Sequence, residues 1–249
     1  MLGREILIGL SIKNEGDWEK IYTAISKREI DGVEEYYQEY IKDCGDDSDT
    51  RVITMLDPEY PESLKKIYKP PFVLFCKGDV TLLQSTKIVG VVGALQGSLY
   101  ALDQIKKTVA SMAPNGKSDE PAEVIVTAGH GRSMSTARAA RVAAAENGLK
   151  TIAVLSEELA QRNPDVKADL FITECPPHVL GHGESTARMI GALSSKRIIA
   201  GEVGAKTASA YVIEWALSLG KDIDVIPLQN GTPYINNTLI RDGAGVIIN

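Results

Sequence analysis

From Lys87 to the end of the chain, short apolar segments alternate with helical segments. KIVGVVG, EVIVTAG and TIAVLS have the length and apolar content of buried strands. Between them lie SLYALDQIKKTVASM and the alanine-rich SMSTARAARVAAAENG, which are typical of helices, and the second ends at Gly148. The alternation continues through DLFITE, STARMIGALSS, RIIAGEV, TASAYVIEWALSLG, DIDVIPL, NNTLIRDG and GVIIN. It predicts an α/β fold with a mostly parallel sheet and helices on both faces.

The first 50 residues have a different character. WEKIYTAISKREI and GVEEYYQEYIKDC carry apolar residues at three- and four-residue steps, which indicates two helices. In the polar segment CGDDSDT, we interpret Asp46, Asp47 and Asp49 as a solvated linker, because the rest of a calcium-loop pattern is absent. A proline-rich stretch and a short strand, FVLFCKG, come next. We therefore expect a small helical N-terminal domain over residues 1–50 and a larger α/β domain over residues 51–249.

Charge and cysteine content narrow the class of protein. The net charge is −6 and the isoelectric point about 5.2, which argues against a surface coated with positive charge for nucleic acid. A local basic groove stays possible, because steering depends on local charge. Cys44, Cys76 and Cys175 have no paired spacing, and no apolar run is long enough to span a bilayer. We expect a cytoplasmic protein with no membrane association, and no cofactor is indicated.

Glycine-bearing turns follow three predicted strands, those that end in VGVVG, IVTAG and IIAGEVG. Ligands of parallel sheets bind at the carboxyl ends of strands, where these turns lie. The third turn, GAKTAS, is similar to a phosphate-binding loop, but Ala200 and Ala205 stand where the Walker A pattern requires glycine. The turn either holds an anion at a helix start or simply reverses the chain tightly, and both interpretations stay open.

Several motifs in a fixed order resemble the DprA/Smf DNA-processing family. YPESLKKIYKPPFVLFCKGDVTLLQSTKIVGVVG resembles the entry to that family's Rossmann-like domain, and LKTIAVL, FITECPP and NNTLIRDGAGVI resemble later motifs. The resemblance runs collinearly from about Asp57 to Asn249. It implies an extended Rossmann-like fold that binds single-stranded DNA and hands it to a RecA-type recombinase during natural transformation. It also implies a homodimer, and it implies no catalytic activity.

One alignment decision concerns the family motif R-N-R-I-I-A-G. The chain contains a literal RIIAG from Arg197 to Gly201, but that match leaves no room for the next strand of the family. Placing the motif at Arg188 instead makes ARMIGALSS a helix and RIIAGEV the strand. We prefer this alignment, because a lost central strand costs far more than changed surface residues.

The chain departs from the family pattern in its binding turns. Ala94 and Leu95 replace the Ser-Arg pair after the first strand, Met134 and Arg138 replace an Asp and a His, and Thr186 and Ala187 precede Arg188. At least two expected arginines are therefore missing, and each lost phosphate contact should weaken DNA binding. We expect Arg132, Arg138, Arg141 and Lys206 to compensate if they face the groove.

The expected contacts with DNA or phosphate lie in the strand-end turns. They are Gly93, Ser98, Gly129, His130, Gly131, Arg132, Arg138, Arg188, Lys206, Thr207 and Ser209. An alternative is a protein of the same wider fold group that binds a nucleotide or nucleotide signal and has lost DNA binding, since a small anion needs fewer cations. A third possibility is an interaction protein that has kept only the fold.

Aromatic and metal-ligating residues give weaker signals. Tyr100 and Tyr234 are candidate stacking residues near the turns, although we favour ordinary packing as their explanation. Cysteine and histidine can hold zinc, but Cys175, His178 and His182 lack a paired spacing, and with Glu174 they are interpreted as a surface loop. No metal site is expected.

Overall fold

A computed structural model of the chain describes residues 2–44, 49–179 and 184–248. Its helices are α1 (Gly3–Lys13), α2 (Trp18–Lys27), α3 (Val33–Cys44), α4 (Glu62–Lys65), α5 (Leu99–Ser111), α6 (Thr136–Glu146), α7 (Glu184–Leu193), α8 (Ala208–Ser218) and α9 (Asn236–Arg241). Its strands are β1 (Thr50–Thr54), β2 (Val73–Gly78), β3 (Ile88–Val92), β4 (Val124–Ala128), β5 (Lys150–Val154), β6 (Leu170–Thr173), β7 (Arg197–Ala200), β8 (Asp222–Val225) and β9 (Gly245–Val246).

All these strands form one sheet in the order β1-β2-β6-β5-β4-β3-β7-β8-β9. The strands from β3 to β9 pair in parallel, and β2 pairs antiparallel with both β1 and β6. Parallel neighbours need crossover helices, which explains the alternation seen in the sequence. The predicted mostly parallel sheet is confirmed.

The sheet separates two apolar layers. On one face, Ile88 and Val124 pack in a cluster with residues of α7 and α8. On the other face, Val89 and Ile125 pack with residues of α5 and α6. Neighbouring strand residues enter opposite layers because side chains alternate across a strand. Helices therefore cover both faces, as predicted.

The helices before the sheet pack on its antiparallel edge. Leu10, Ile21 and Val33, from α1, α2 and α3, share an apolar cluster with Val73 and Phe75 of β2. The expected N-terminal helices are confirmed as α2 and α3, whereas α1 and β1 were not predicted. Whether residues 1–50 form a domain separate from 51–249 stays a prediction. Of the acidic linker, positions 46 and 47 lie outside the described residues.

The choice between the two arginine alignments is decided by the fold. Arg188 lies on α7, and Arg197 begins β7, which pairs with β3 on one side and β8 on the other. RIIA is thus the central strand that the preferred alignment required. In the described part of the chain, each helix is too short or too polar to cross a bilayer.

Candidate functional site

The strand order reverses between β3 and β7. The chain moves from β3 to β4, β5 and β6 in one direction and then returns to β7 on the other side of β3. Ligands of open parallel sheets bind in the crevice that such a reversal opens at the carboxyl ends of the strands. The turns after β3, β4 and β7 border this crevice. We call them the first turn (residues 93–98), the second turn (residues 129–135) and the third turn (residues 201–207).

The first turn, residues 93–98, connects the starts of three helices. The Gly93 carbonyl accepts a hydrogen bond from Ser209 Oγ at 2.7 Å, near the start of α8. The Ala94 carbonyl accepts from the N–H of Thr136 at 3.1 Å, where α6 begins. Glycine is required at position 93 because a Cβ there would collide with the Thr136 hydroxyl. The N-terminal ends of α5, α6 and α8, each with a positive partial charge, thus meet at this turn.

A carboxylate of the chain itself occupies the start of α5. The backbone N–H of Ser98 donates to Glu202 Oε2 at 2.8 Å, and Glu202 is buried. Ser98 caps the helix in turn, since its Oγ accepts from the N–H of Ala101 at 3.2 Å. In dinucleotide-binding sheets the pyrophosphate lies at this helix start. The predicted contact Ser98 is therefore already paired with an internal anion.

Large apolar side chains surround the first turn. Leu95, Leu99, Tyr100 and Met134 are 49%, 78%, 50% and 37% exposed. The N–H of Gly97 donates to the carbonyl of Met134 at 2.8 Å, which joins the two segments that carry them. We call these four side chains the apolar patch. The sequence indicated Tyr100 as a stacking candidate and missed the other three.

A buried arginine supports the second turn from below. Arg141 of α6 donates to Thr127 Oγ1 at 2.7 Å and to the carbonyls of Ala128 at 2.6 Å and His130 at 3.0 Å. Burial, with Arg138 nearby, lowers the pKa of Arg141 to about 10, so the guanidinium stays charged at neutral pH. Arg141 therefore holds the backbone of the turn, and the condition under which it would compensate for the missing arginines, that it faces the groove, is not met.

His130 lies in the second turn as a neutral side chain. Burial, together with the nearby charges of Arg141 and Arg132, lowers its pKa to about 4. Its Nδ1 is buried and has no hydrogen-bond partner among the described residues. At neutral pH this imidazole adds no positive charge to the site. It can offer a phosphate at most a hydrogen bond from its neutral ring.

The glycines of the second turn pack closely against neighbouring segments. Gly129 is buried, and its N–H donates to the carbonyl of Val154 at 2.8 Å. A Cβ at this position would collide with the side chain of Leu155. Gly131 lies beside the side chain of Asn163 and is half-buried. Gly129 therefore serves the close approach of β4 to β5, and Gly131 is the more accessible of the two.

Three predicted cations remain exposed at the crevice. Arg132 lies in the second turn, and Lys206 lies in the third turn. Arg138 lies near the N-terminus of helix α6, just after the second turn. In the ranges that the structure describes, none of their side chains has a hydrogen-bond or ion-pair partner. Lys206 has a left-handed backbone with φ of 58°, and it directly precedes Thr207, which caps α8 through Ala210. We call these three side chains the basic trio.

Arg188 is buried inside the protein, away from the solvent-facing groove. Its guanidinium forms a two-point ion pair with Glu174, with Nη1 at 2.7 Å from Oε1 and Nη2 bonded to Oε2. Its Nε donates to the carbonyl of Lys69 at 3.0 Å, and the residue is 9% exposed. All three contacts join α7 to the loops beside β6 and β2. The geometry gives Arg188 a structural role, although its spacing had placed it among the phosphate contacts.

The loop after β6 does not assemble a metal site in the described residues. Glu174 is used by Arg188, and burial raises the pKa of the Cys175 thiol to about 11. Position 182 lies outside the described residues. No group of three or more His, Cys, Asp or Glu side chains that could hold a metal ion occurs in the described residues.

The structure also contains an aromatic cluster that sequence reasoning missed. The rings of Trp18 and Tyr22 stack with centroids 5.0 Å apart, and Trp18 also stacks on Phe72 at 5.3 Å. The Lys69 ammonium lies 5.7 Å from the Trp18 ring. The four-residue spacing in WEKIY was the available signal. Tyr234, the other stacking candidate, is half-buried and pairs with Gly204 through its backbone.

Comparison with known proteins gives one family and several relatives. The family model described as DNA recombination-mediator protein A matches residues 51–249. DNA processing protein DprA of Streptococcus pneumoniae (strain ATCC BAA-255 / R6) is 28% identical over 208 residues, which cover 78% of this chain and 70% of the relative. The DprA of Bacillus subtilis (strain 168) is 27% identical over 209 residues, with coverages of 78% and 67%.

Two solved structures share the fold. The X-ray structure of DprA from Streptococcus pneumoniae has a TM-score of 0.75 at 22% identity and covers 99% of this chain and 95% of its own. A structure of DprA from Helicobacter pylori, described by its single-stranded DNA binding mode, has a TM-score of 0.66 at 22% identity and covers 80% and 92%. At these identities the likeness establishes the fold alone.

Proposed function

Because the chain belongs to the family of DNA recombination-mediator protein A, we propose that it binds single-stranded DNA along the carboxyl edge of its sheet. The related protein from Helicobacter pylori is described by such a binding mode. The resemblance noted in the sequence implies the same ligand and no catalytic step. Such binding requires groups on this chain that attract a phosphate backbone.

The observation that carries the proposal is the basic trio. Arg132, Arg138 and Lys206 are exposed in or next to the second and third turns and have no ion-pair partner in the described part of the chain. Unpaired exposed cations at a helix-rich edge attract phosphates through local charge, even on a protein of net charge −6. The Gly93 carbonyl already accepts from Ser209 Oγ, so Gly93 of the first turn is not included. The backbone at Gly131, Thr207 and Ser209 completes the proposed contacts. Arg188, which is ion-paired, is left out of them.

The alternative of a bound nucleotide is less well supported. A nucleotide in such a sheet places its phosphates at the first turn, at the start of the following helix. Here the Glu202 carboxylate accepts from the N–H of Ser98 at that place. A phosphate at this helix start would meet a buried negative charge. The geometry therefore favours a ligand whose phosphates lie at the second and third turns.

Fluorescence anisotropy with a labelled dT 20-mer at several salt concentrations tests the proposal. The double variant Arg132→Ala/Arg138→Ala should bind more weakly, with a log–log salt slope lower by about 1.4, because each phosphate contact on a single strand contributes about 0.7. Lys196→Ala is the matched control, since Lys196 is exposed and precedes β7 at the opposite edge of the sheet. Absent binding at low salt, or an equal effect of the control, would contradict the proposal.

We extend the proposal to the partners that the resemblance implies. The protein would form a homodimer in the cytoplasm and deliver DNA to a RecA-type recombinase. Light scattering measures the first property, and a pull-down of the recombinase with and without dT 20-mer measures the second. A monomer at micromolar concentration, or no recombinase recovered in either condition, would count against these extensions and leave the DNA-binding proposal standing.

A further inference from the structure

The apolar patch is an exposed surface that the basic trio does not explain. Leu95, Leu99 and Tyr100 lie within six positions of one another, and all are about half exposed or more. Met134 is tied to the same turn through the bond from Gly97. Large apolar side chains grouped at a ligand-binding edge indicate a contact surface. The patch is thus a candidate binding surface for the uncharged part of the ligand.

The surroundings of the patch define what can cover it. Leu99 and Tyr100 are the first residues of α5, whose early N–H groups have no intrahelical acceptors and lie at the positive end of the helix dipole. Arg132 and Arg138 flank Met134 along the chain and are exposed. The patch therefore has exposed positive charge close to it in the chain. An occupant that fits it has flat apolar faces and regularly placed negative charges.

We propose that nucleobases of a single strand bind on the apolar patch while the adjacent phosphates bind Arg132 and Arg138. This inference rests on the proposed function and specifies how the first turn takes part in it. Single strands expose the faces of their bases, which stack on aromatic and apolar side chains with little dependence on sequence. The internal carboxylate of Glu202 fits this arrangement, because it already bonds the N–H of Ser98 below the patch. The first turn then receives bases, and the second turn receives phosphates.

The experiment compares a dT 20-mer with an abasic 20-mer that has the same phosphates. Wild type should bind the dT 20-mer about tenfold more tightly than the abasic strand, since one base–aromatic contact contributes about that factor. The double variant Leu99→Ser/Tyr100→Ser should reduce this ratio to near one and keep the salt slope of wild type. Leu217→Ser is the matched control, because Leu217 is 54% exposed on α8, away from the turns.

Each of the other possible outcomes would contradict the inference, and each points to a different explanation. Equal binding of both strands by wild type would contradict the base contacts and leave the proposed function intact. If wild type binds neither strand, both the base contacts and the proposed function are contradicted. The same loss in Leu217→Ser would show a nonspecific effect of surface polarity. If the double variant instead changes a dimer into a monomer in light scattering, the patch is an interface between two copies of the chain.

Discussion

The first and second turns are built over buried charges of opposite sign. Beneath the first turn, the Glu202 carboxylate accepts the N–H of Ser98. Beneath the second turn, the Arg141 guanidinium donates to the Ala128 and His130 carbonyls. Glu202 bonds one backbone N–H of the first turn, and Arg141 bonds two backbone carbonyls at the second turn. The outer surfaces then differ, since the first turn exposes Leu99 and Tyr100 and the second exposes Arg132.

This difference shows that arginines and carboxylates at a binding edge serve two separate purposes. A buried charge holds neighbouring segments together, because its hydrogen bonds are made to groups inside the protein, both main-chain groups and side chains such as Thr127 and Glu174. An exposed charge with no partner is available to a ligand. On this basis we assign Arg141 and Arg188 to the scaffold and propose Arg132 and Arg138 as the arginines that contact DNA. Four substitutions or conditions test the contrast.

Removing the buried cation should have the largest effect. Arg141→Met leaves three oxygens, on Thr127, Ala128 and His130, without their donor, and each unsatisfied buried group costs about 1–3 kcal/mol. We expect the free energy of unfolding to fall by about 3 kcal/mol or more in urea titrations. The control Arg138→Met, an exposed arginine on the same helix, should change it by about 0.5 kcal/mol or less. Equal effects of the two variants on stability would refute the assignment of Arg141 as the buried residue that holds the second turn.

Acid should destabilise the second turn through His130. The pKa of this imidazole is about 4 in the folded protein, below its ordinary value of 6.5. The unfolded chain therefore binds the proton first, and stability falls as the pH is lowered from about 6.5 to about 4. With a discount for partial exposure, the loss should be about 2 kcal/mol. Urea titrations of wild type and His130→Gln across this range should differ by that amount, and parallel curves would contradict the shift.

Neutralising the buried anion should have an intermediate effect. Glu202→Gln keeps an acceptor for the N–H of Ser98 but removes the negative charge under the first turn. We expect a stability loss of about 1 kcal/mol, because a charge-assisted bond becomes a neutral one. Phosphate and ADP should also begin to stabilise the variant in thermal shift assays, which they should not do for wild type. If ADP already stabilises the wild-type protein, then Glu202 does not exclude phosphates from the start of α5.

The smallest effect is expected from making the first turn resemble the second. Leu95→Arg adds one exposed cation to a side chain that is 49% exposed, so stability should change by about 0.5 kcal/mol or less. One new phosphate contact should steepen the salt slope of dT 20-mer binding by about 0.7. Leu217→Arg, an equally exposed site on α8, should leave the slope unchanged. An unchanged slope in Leu95→Arg would place the DNA away from the first turn.

The sequence by itself determined the parallel sheet and its crossover helices. Periodicity, strand length and helix caps are local properties, so the assignments of β3 to β8 and α5 to α8 needed no knowledge of distant contacts. The spacing argument also placed β7 correctly at RIIA. Local signals failed for α1, whose apolar run ILIGL is almost entirely buried and shows no clear polar face. They failed for β1 because its partner β2 lies beyond a proline-rich segment.

Only the tertiary structure decided which charged residues are available to a ligand. Arg188 looked like a phosphate contact, but its carbonyl partner at Lys69 is 119 positions away, and its ion pair joins α7 to Glu174 in the loop that follows β6. Glu202 reaches Ser98 across 104 positions. Such pairings form because a buried charge must find partners wherever the fold places them. The local sequence identifies the residue type, and the packing of distant segments determines whether its charge is already used.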